Sequence, residues 1–210
     1  MYHTVSLVHT TPDAEQLIAY MARVSNPDNQ DNPESERLIK YLIKHKHWSP
    51  FEMVNMCVQI ETTRSVAAQI LRHRSFSFQE FSQRYAKVAK PAAIPQLRRQ
   101  DTKNRQNSVD DLDPYTVKDF TVKINSLFEL GESLYNEMLE AGVAKECARD
   151  ILPLSTPTKL YMNGTLRSWI HYIDLRTANG TQLEHKQVAQ GVKQVFEEQF
   201  PLISKAVWQH

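Results

Sequence analysis

The sequence predicts an α+β fold, a modest sheet covered by helices. Three observations lead there. Short β-branched runs are mixed with longer amphipathic ones, without the regular alternation that a parallel sheet requires. Turn-forming Pro, Asn, Asp and Gly residues punctuate the runs. The 210 residues are 41% hydrophobic and 23% charged, which suits a single domain over 1–210 with a sizeable core.

The elements follow in order. "TVSLVHT" reads as a strand. "TPDAEQLIAYMARVS" reads as a helix capped by Thr11, with Pro12 in its first position and Leu17, Ile18, Met21 and Ala22 as its apolar stripe. After the turn-rich "NPDNQDNPES", Ser35 and "ERLIKYLIKHKH" give a second amphipathic helix, broken at "WSPF" because the residue before Pro50 is pushed out of helical geometry. "EMVNMCVQIET" alternates as a strand, with Val54, Met56, Val58 and Ile60 on one face and Asn55, Cys57 and Gln59 on the other. "TRSVAAQILRHR" is a helix and "FQEFSQRYAKV" an extended segment. Residues 96–112 are polar and form an exposed loop. Asp113 to Gly142 is a long helix whose buried side is Phe120, Ile124, Leu127, Phe128, Leu130, Leu134 and Met138, with Gly142 as terminator. "AKECARDILP" is a short helix, "TKLYMNGT" a strand, and "LRSWIHYIDLR" and "TQLEHKQVAQGVKQVFEEQF" two further helices.

A net charge of +1 argues against a general polyanion binder, so positive charge matters only where it is concentrated. Cys57 and Cys147 make no disulfide framework and read as reduced core residues. No apolar run is long enough for a membrane span, and "MYHTVSLVHT" is too short and polar for a signal peptide, so the expected location is cytoplasmic.

The concentration is found at "RHRSFSFQEFSQRY", where fixed cations stand among aromatic rings. A bound anion carrying a ring, a nucleotide, would explain it. On a helix, Gln69 shares a side with Arg72 and His73. A solvated basic helix end is the plainer reading of the same residues. In an extended segment Glu80, Ser82 and Arg84 share one face, with Gln79, Phe81 and Gln83 opposite. Such a face suits a phosphate and a ribose hydroxyl, or it is a surface strand with a Glu–Arg pair. His45, His47, Trp48 and Phe51 do not have zinc-ligand spacing and better form a wall for a flat ligand or part of the core. Arg167 and His171 share a helical stripe that ends near Arg176, while Arg149 next to Asp150 is also a simple ion pair. A nucleic-acid module is a second reading, with Phe76, Phe78, Phe81 and Tyr85 as stacking rings. An inert scaffold is a third.

Taken together, these motifs resemble the flavin-dependent thymidylate synthases. "RHRSFSFQEFSQRY" is similar to that family's R-H-R followed by S-x-R-Y. "HWSPFE" resembles its His-x-(Ser/Thr)-x-x-Glu turn, "ARDILP" its Ala-Arg-x-x-Leu-Pro element, and "LRSWIHYIDLR" followed by "TQLE" its C-terminal helix with an essential arginine. The resemblance runs over roughly residues 15–200. It implies a small, mostly antiparallel sheet covered by helices, and reductive methylation of dUMP to dTMP. Methylenetetrahydrofolate would give the carbon, reduced FAD the hydride, and NADPH would re-reduce the flavin. It implies that Gln69, Arg72, Glu80, Phe81, Ser82, Gln83, Arg84, Arg149 and Arg176 surround dUMP, with Arg176 the catalytic cation facing the uracil. Ser49, Arg72, His73, Arg74, Glu80, Thr165, Arg167 and His171 would hold FAD, and His47 would lie near the flavin or folate rings. Ser82 would bind rather than attack, Glu184 is structural, and no metal is involved. The partners implied are small molecules and three further copies of the chain, in a homotetramer with shared sites.

Overall fold

The computed structural model describes residues 3–209. Strand β1 (Thr4–Thr10) leads into helix α1 (Ala14–Ala22), and α2 (Glu36–Lys44) follows a turn-rich loop. A tight 3-10 turn at Ser49–Glu52 separates α2 from β2 (Asn55–Thr63) and α3 (Arg64–Ile70). Next come β3 (Ser77–Glu80), a hairpin of β4 (Arg99–Gln100) and β5 (Ser108–Val109), and the long α4 (Pro114–Glu140). The chain finishes with α5 (Lys145–Ala148), β6 (Pro157–Thr165), α6 (Leu166–Thr177), α7 (Leu183–Gln199) and α8 (Pro201–Trp208).

The main sheet has the order β1-β2-β6-β3, every neighbouring pair antiparallel. The alternation of β2 sets its two faces. Val54, Met56, Val58 and Ile60 are fully buried, and Met56, Val58 and Ile60 lie opposite Gly164, Met162 and Leu160 of β6. Helices α3, α6 and α7 pack on this side. Leu166, Trp169, Tyr172 and Ile173 of α6 and Val188, Val192 and Phe196 of α7 supply the covering layer. Trp169 donates its indole N–H to the Met56 carbonyl at 2.9 Å, so its polar atom is satisfied inside the core. Gly164 leaves room for the Phe76 ring: a Cβ there would stand 2.4 Å from it. The opposite face carries Gln59, Glu61, Lys159 and Tyr161, in register across β2 and β6.

Several expectations need correction. Helix α1 begins at Ala14, and Thr11 does not cap it. Thr11 still belongs to the sheet edge, its N–H on the Asn55 carbonyl and its hydroxyl accepting from the Asn55 N–H, both at 2.9 Å. Asp13, at φ 49, turns the chain only after that. Helix α3 stops at Ile70, so Arg72, His73 and Arg74 lie in the turn beyond it. The extended segment covers only residues 77–80, because Tyr85 and Ala86 both donate to the Ser82 carbonyl and close a turn. Residues 96–112 are a hairpin, ordered by turn chemistry: Asp101 accepts from the backbone N–H groups of Lys103 and Asn104 at 2.8 and 3.2 Å. Cys147 is exposed, whereas Cys57 is buried.

The largest correction concerns α4. Its span is close to that expected, and Gly142 at φ 85 closes it; Asp113 caps it through the Thr116 N–H and Pro114 opens it. Val143 N–H reaches the Met138 carbonyl and Gly142 N–H the Leu139 carbonyl, the paired bonds of a left-handed helix stop. The side expected to be buried is not. Leu127 and Leu130 are 64% and 67% exposed, Phe120 and Leu134 are exposed too, and Ile124, Phe128 and Met138 are only half-buried. Tyr135 alone is buried, its hydroxyl accepting from the Val88 N–H at 3.2 Å. Hydrophobic periodicity identifies the apolar face of a helix and says nothing of what covers it.

Candidate active site

The turn after α3 brings the first group of site residues together. Helix α6 ends beside it, and Arg176 donates Nε–H to Nε2 of His73 at 2.9 Å. His73 accepts there, so it is neutral with its proton on the other nitrogen. Burial, followed by the charges of Arg176, His171 and Arg72, lowers this imidazole to about 4. Its ring stands on Tyr172 at 4.9 Å. The terminal nitrogens of Arg176 have no hydrogen-bond partner among the described residues. A guanidinium is thus held from behind by an uncharged ring while its fork stays available. Arg72 and Arg74 are exposed beside it and have no ion pair among the described residues.

Gln69, in the last turn of α3, faces the same corner. It bonds Gln182 at 2.6 Å and His185 at 3.3 Å. Sequence reasoning missed His185 and Tyr172. The signal was present: His185 falls in phase with Val188, Val192 and Phe196 on the buried stripe of α7. A histidine in a core phase needs partners.

The second group lies at the other end of α3. Arg64 opens that helix and meets Glu80 at 2.9 Å, and Thr158 donates to the same carboxylate oxygen at 2.9 Å. A seven-residue helix is ~10 Å long, which sets the spacing between the two groups. Glu80 therefore already has a structural cation, and it is not Arg84. Arg84 pairs with Glu146 at 3.1 Å, and Arg149 donates to the Glu146 carbonyl at 3.3 Å, so α5 draws the two predicted arginines together. Gln83 is buried with its amide nitrogen unpartnered, Ser82 is half-buried, and Phe81 is exposed. A cavity of about 440 Å³ opens beside Phe81, lined also by Thr63, Lys87, Val88, Lys90 and Thr158.

A third group lies along the exposed side of α6. Arg167 pairs with Glu52 and ties the Ser49 turn to the start of the helix. His171 is exposed one turn further on. Thr165 is the N-cap of α6, its hydroxyl accepting from the Ser168 N–H. The adjacent Asn163 Oδ1 is buried without a partner. His47 is exposed and packs against the rings of Tyr41 and His45. The rings once grouped as a stacking row are split. Phe76 packs on Trp169 at 4.6 Å and Phe78 is half-buried, while Phe81 and Tyr85 are exposed. None of the described helices is long and apolar enough to cross a membrane.

The chain matches the family model described as thymidylate synthase complementing protein over residues 6–202. It is 53% identical over 205 residues to a probable flavin-dependent thymidylate synthase of Paramecium bursaria Chlorella virus 1, covering 97% of this chain and 95% of that one. It is 52% identical over 193 residues to the flavin-dependent thymidylate synthase of Synechocystis sp., covering 92% and 89%. Among solved structures it resembles the UMP/dUMP methylase PolB of Streptomyces cacaoi bound with 5-Br dUMP. That likeness has a TM-score of 0.84, 28% identity, and coverage of 97% and 93%.

Proposed function

The chain belongs to the thymidylate synthase complementing protein family, and on that premise we propose that it is a flavin-dependent thymidylate synthase that methylates dUMP to dTMP. The observation that carries the reading is the Arg176–His73 contact. It joins the R-H-R signature to the essential-arginine helix, 103 residues apart in sequence. Arg176 is the catalytic cation. Its free fork stabilises negative charge on the uracil as the ring becomes nucleophilic, and a neutral His73 orients it without competing for that charge. Gln69 and Arg72 bind the nucleotide on the same side. Glu80, Phe81, Ser82, Gln83, Arg84 and Arg149 bind it from the other group, with the two arginines on the phosphate and polar edge.

The cofactor is a flavin, and we assign it as FAD. The fit rests on the donor set. Among the described residues Arg72 and Arg74 are exposed guanidiniums without acidic partners, and the buried Asn163 oxygen, two residues before Thr165, has no hydrogen-bond donor. Ser49, His73, Glu80, Arg167 and His171 complete the set, with His47 near the flavin or folate rings. FAD supplies hydride chemistry when reduced, NADPH is the reductant and methylenetetrahydrofolate the carbon donor. The test is dTMP formation from dUMP with each component omitted in turn. Product should require all of them, and the purified protein should show flavin absorption. Product without flavin would overturn the reading.

The working unit is a homotetramer with shared sites. Two observations support it: the two candidate nucleotide-binding groups sit at opposite ends of α3, and the apolar side of α4 is only partly covered by the described residues.

A further inference from the structure

His185 is fully buried in the first turn of α7, and the chemistry above does not use it. Its neighbours fix the direction of every hydrogen bond in a chain that runs back to Glu184. Arg98 pairs with Glu184 at 2.7 Å. Burial opposes charge on this carboxyl, but the hydrogen bonds from Arg98 and Gln182 outweigh it and hold Glu184 below the ordinary carboxylate range. An ionised carboxylate only accepts. The Gln182 atom 2.8 Å from it is therefore the amide nitrogen, which turns the Gln182 oxygen to Gln69. That oxygen takes the Gln69 Nε2–H at 2.6 Å. Gln69 Oε1 is then directed to His185 Nδ1 at 3.3 Å, and Nδ1 must carry the proton. Burial, then the Arg176 and His73 charges, lower His185 to about 3, so the ring is neutral and has one N–H only. Its Nε2 accepts from the Tyr172 hydroxyl at 3.2 Å.

We propose that His185 is a positioning residue that, with Gln182, clamps the Gln69 amide so that its oxygen and one N–H face the protein and only the second N–H faces the nucleotide. The proposal rests on the reading that Gln69 contacts dUMP. A free glutamine amide turns over and offers donor or acceptor at will. The clamp removes that choice, and an acceptor oxygen of dUMP then meets a preset donor.

Calorimetric titration of dUMP into the FAD-loaded protein tests it, with His185→Phe, His185→Asn, Gln69→Ala and the double variant Gln69→Ala/His185→Phe. Phe fills the imidazole space and makes neither bond, whereas Asn keeps an N–H where Nδ1 stood. His185→Phe should weaken dUMP binding by about tenfold, the size of one lost directional hydrogen bond. His185→Asn should recover most of that, and in the Gln69→Ala background the Phe substitution should add nothing. If His185→Phe fails to hold flavin, Gln182→Ala removes the other jaw of the clamp and should give the same Gln69-dependent loss. Additive losses in the double variant, or an Asn variant as weak as Phe, would overturn the proposal and leave the enzyme reading intact. Unmodified protein that holds FAD and binds no dUMP would overturn both.

Discussion

Helices α7 and α4 both carry an apolar stripe, yet Val188, Val192 and Phe196 of α7 are fully buried while Leu127 and Leu130 of α4 stay largely exposed. The partner makes the difference. Helix α7 lies along α6 and β1, whereas α4 touches chiefly α5 and the short turn after it. The α6–α7 corner is thus complete within one chain, down to its buried polar contacts. The α4 arm leaves much of its apolar side exposed among the described residues, which is the face the proposed assembly would cover. On the proposed assembly, stability of the chain and stability of the oligomer are separable, and substitutions in the two regions should read out differently.

The largest effect is expected in the corner. Arg176→Ala should lower kcat for dTMP formation by about 10²–10³, the usual loss for one preorganised charge-stabilising group. The urea midpoint should fall only slightly, corresponding to the ~0.5–1.5 kcal/mol of the one bond to His73 that is lost. Next comes the arm. Replacing Leu127 and Leu130 together by Glu should convert the proposed tetramer to smaller species in sedimentation velocity, with activity falling alongside mass. The folded chain itself should lose less than about 0.5 kcal/mol, as for ordinary surface positions. A variant that keeps its mass would remove the arm from the interface and undo the contrast.

A smaller effect is expected at Gly164→Ala. The added methyl meets Phe76 at 2.4 Å and must displace the ring that packs on Trp169. Overpacking of this kind costs about 1–3 kcal/mol, readable as a lower urea midpoint. The last effect is confined to acid and is absent at neutral pH. His73 and His185 have folded values depressed to about 4 and about 3, below the unfolded 6.5. Their contribution is complete above pH 6.5 and is lost as pH falls from there toward the folded values, because the unfolded chain takes up the protons first. Each histidine adds at most about 1.4 kcal/mol per pH unit to that slope, and the half-exposed His73 less because solvent screens it. His185→Phe should flatten the acid limb of a stability–pH curve, while the α4 variant should leave it unchanged.

Much of the fold was legible because strong local signals agreed with tertiary need. The alternation of β2 gave the buried face of the sheet, and Asp113 and Gly142 marked both ends of α4. Where the reading failed, a distant contact decided. Thr11 looks like a cap until Asn55 claims it, and residues 96–112 look structureless until Asp101 organises their backbone. The candidate site was legible as residue types gathered in motifs. Its second layer was not. Gln182 and His185 meet Gln69, and Tyr172 meets His185, only after α3, α6 and α7 have converged on the sheet, and no spacing in the chain encodes that meeting.

The two thiols offer a practical opening. Cys57 is enclosed in the sheet, where burial raises its pKa and slows its chemistry, but Cys147 is open to solvent on α5. A maleimide dye would therefore attach at a single place, next to the carboxylate on which Arg84 rests. A nucleotide phosphate that draws Arg84 away would change the dye's surroundings, giving an optical signal for ligand arrival without introducing any cysteine.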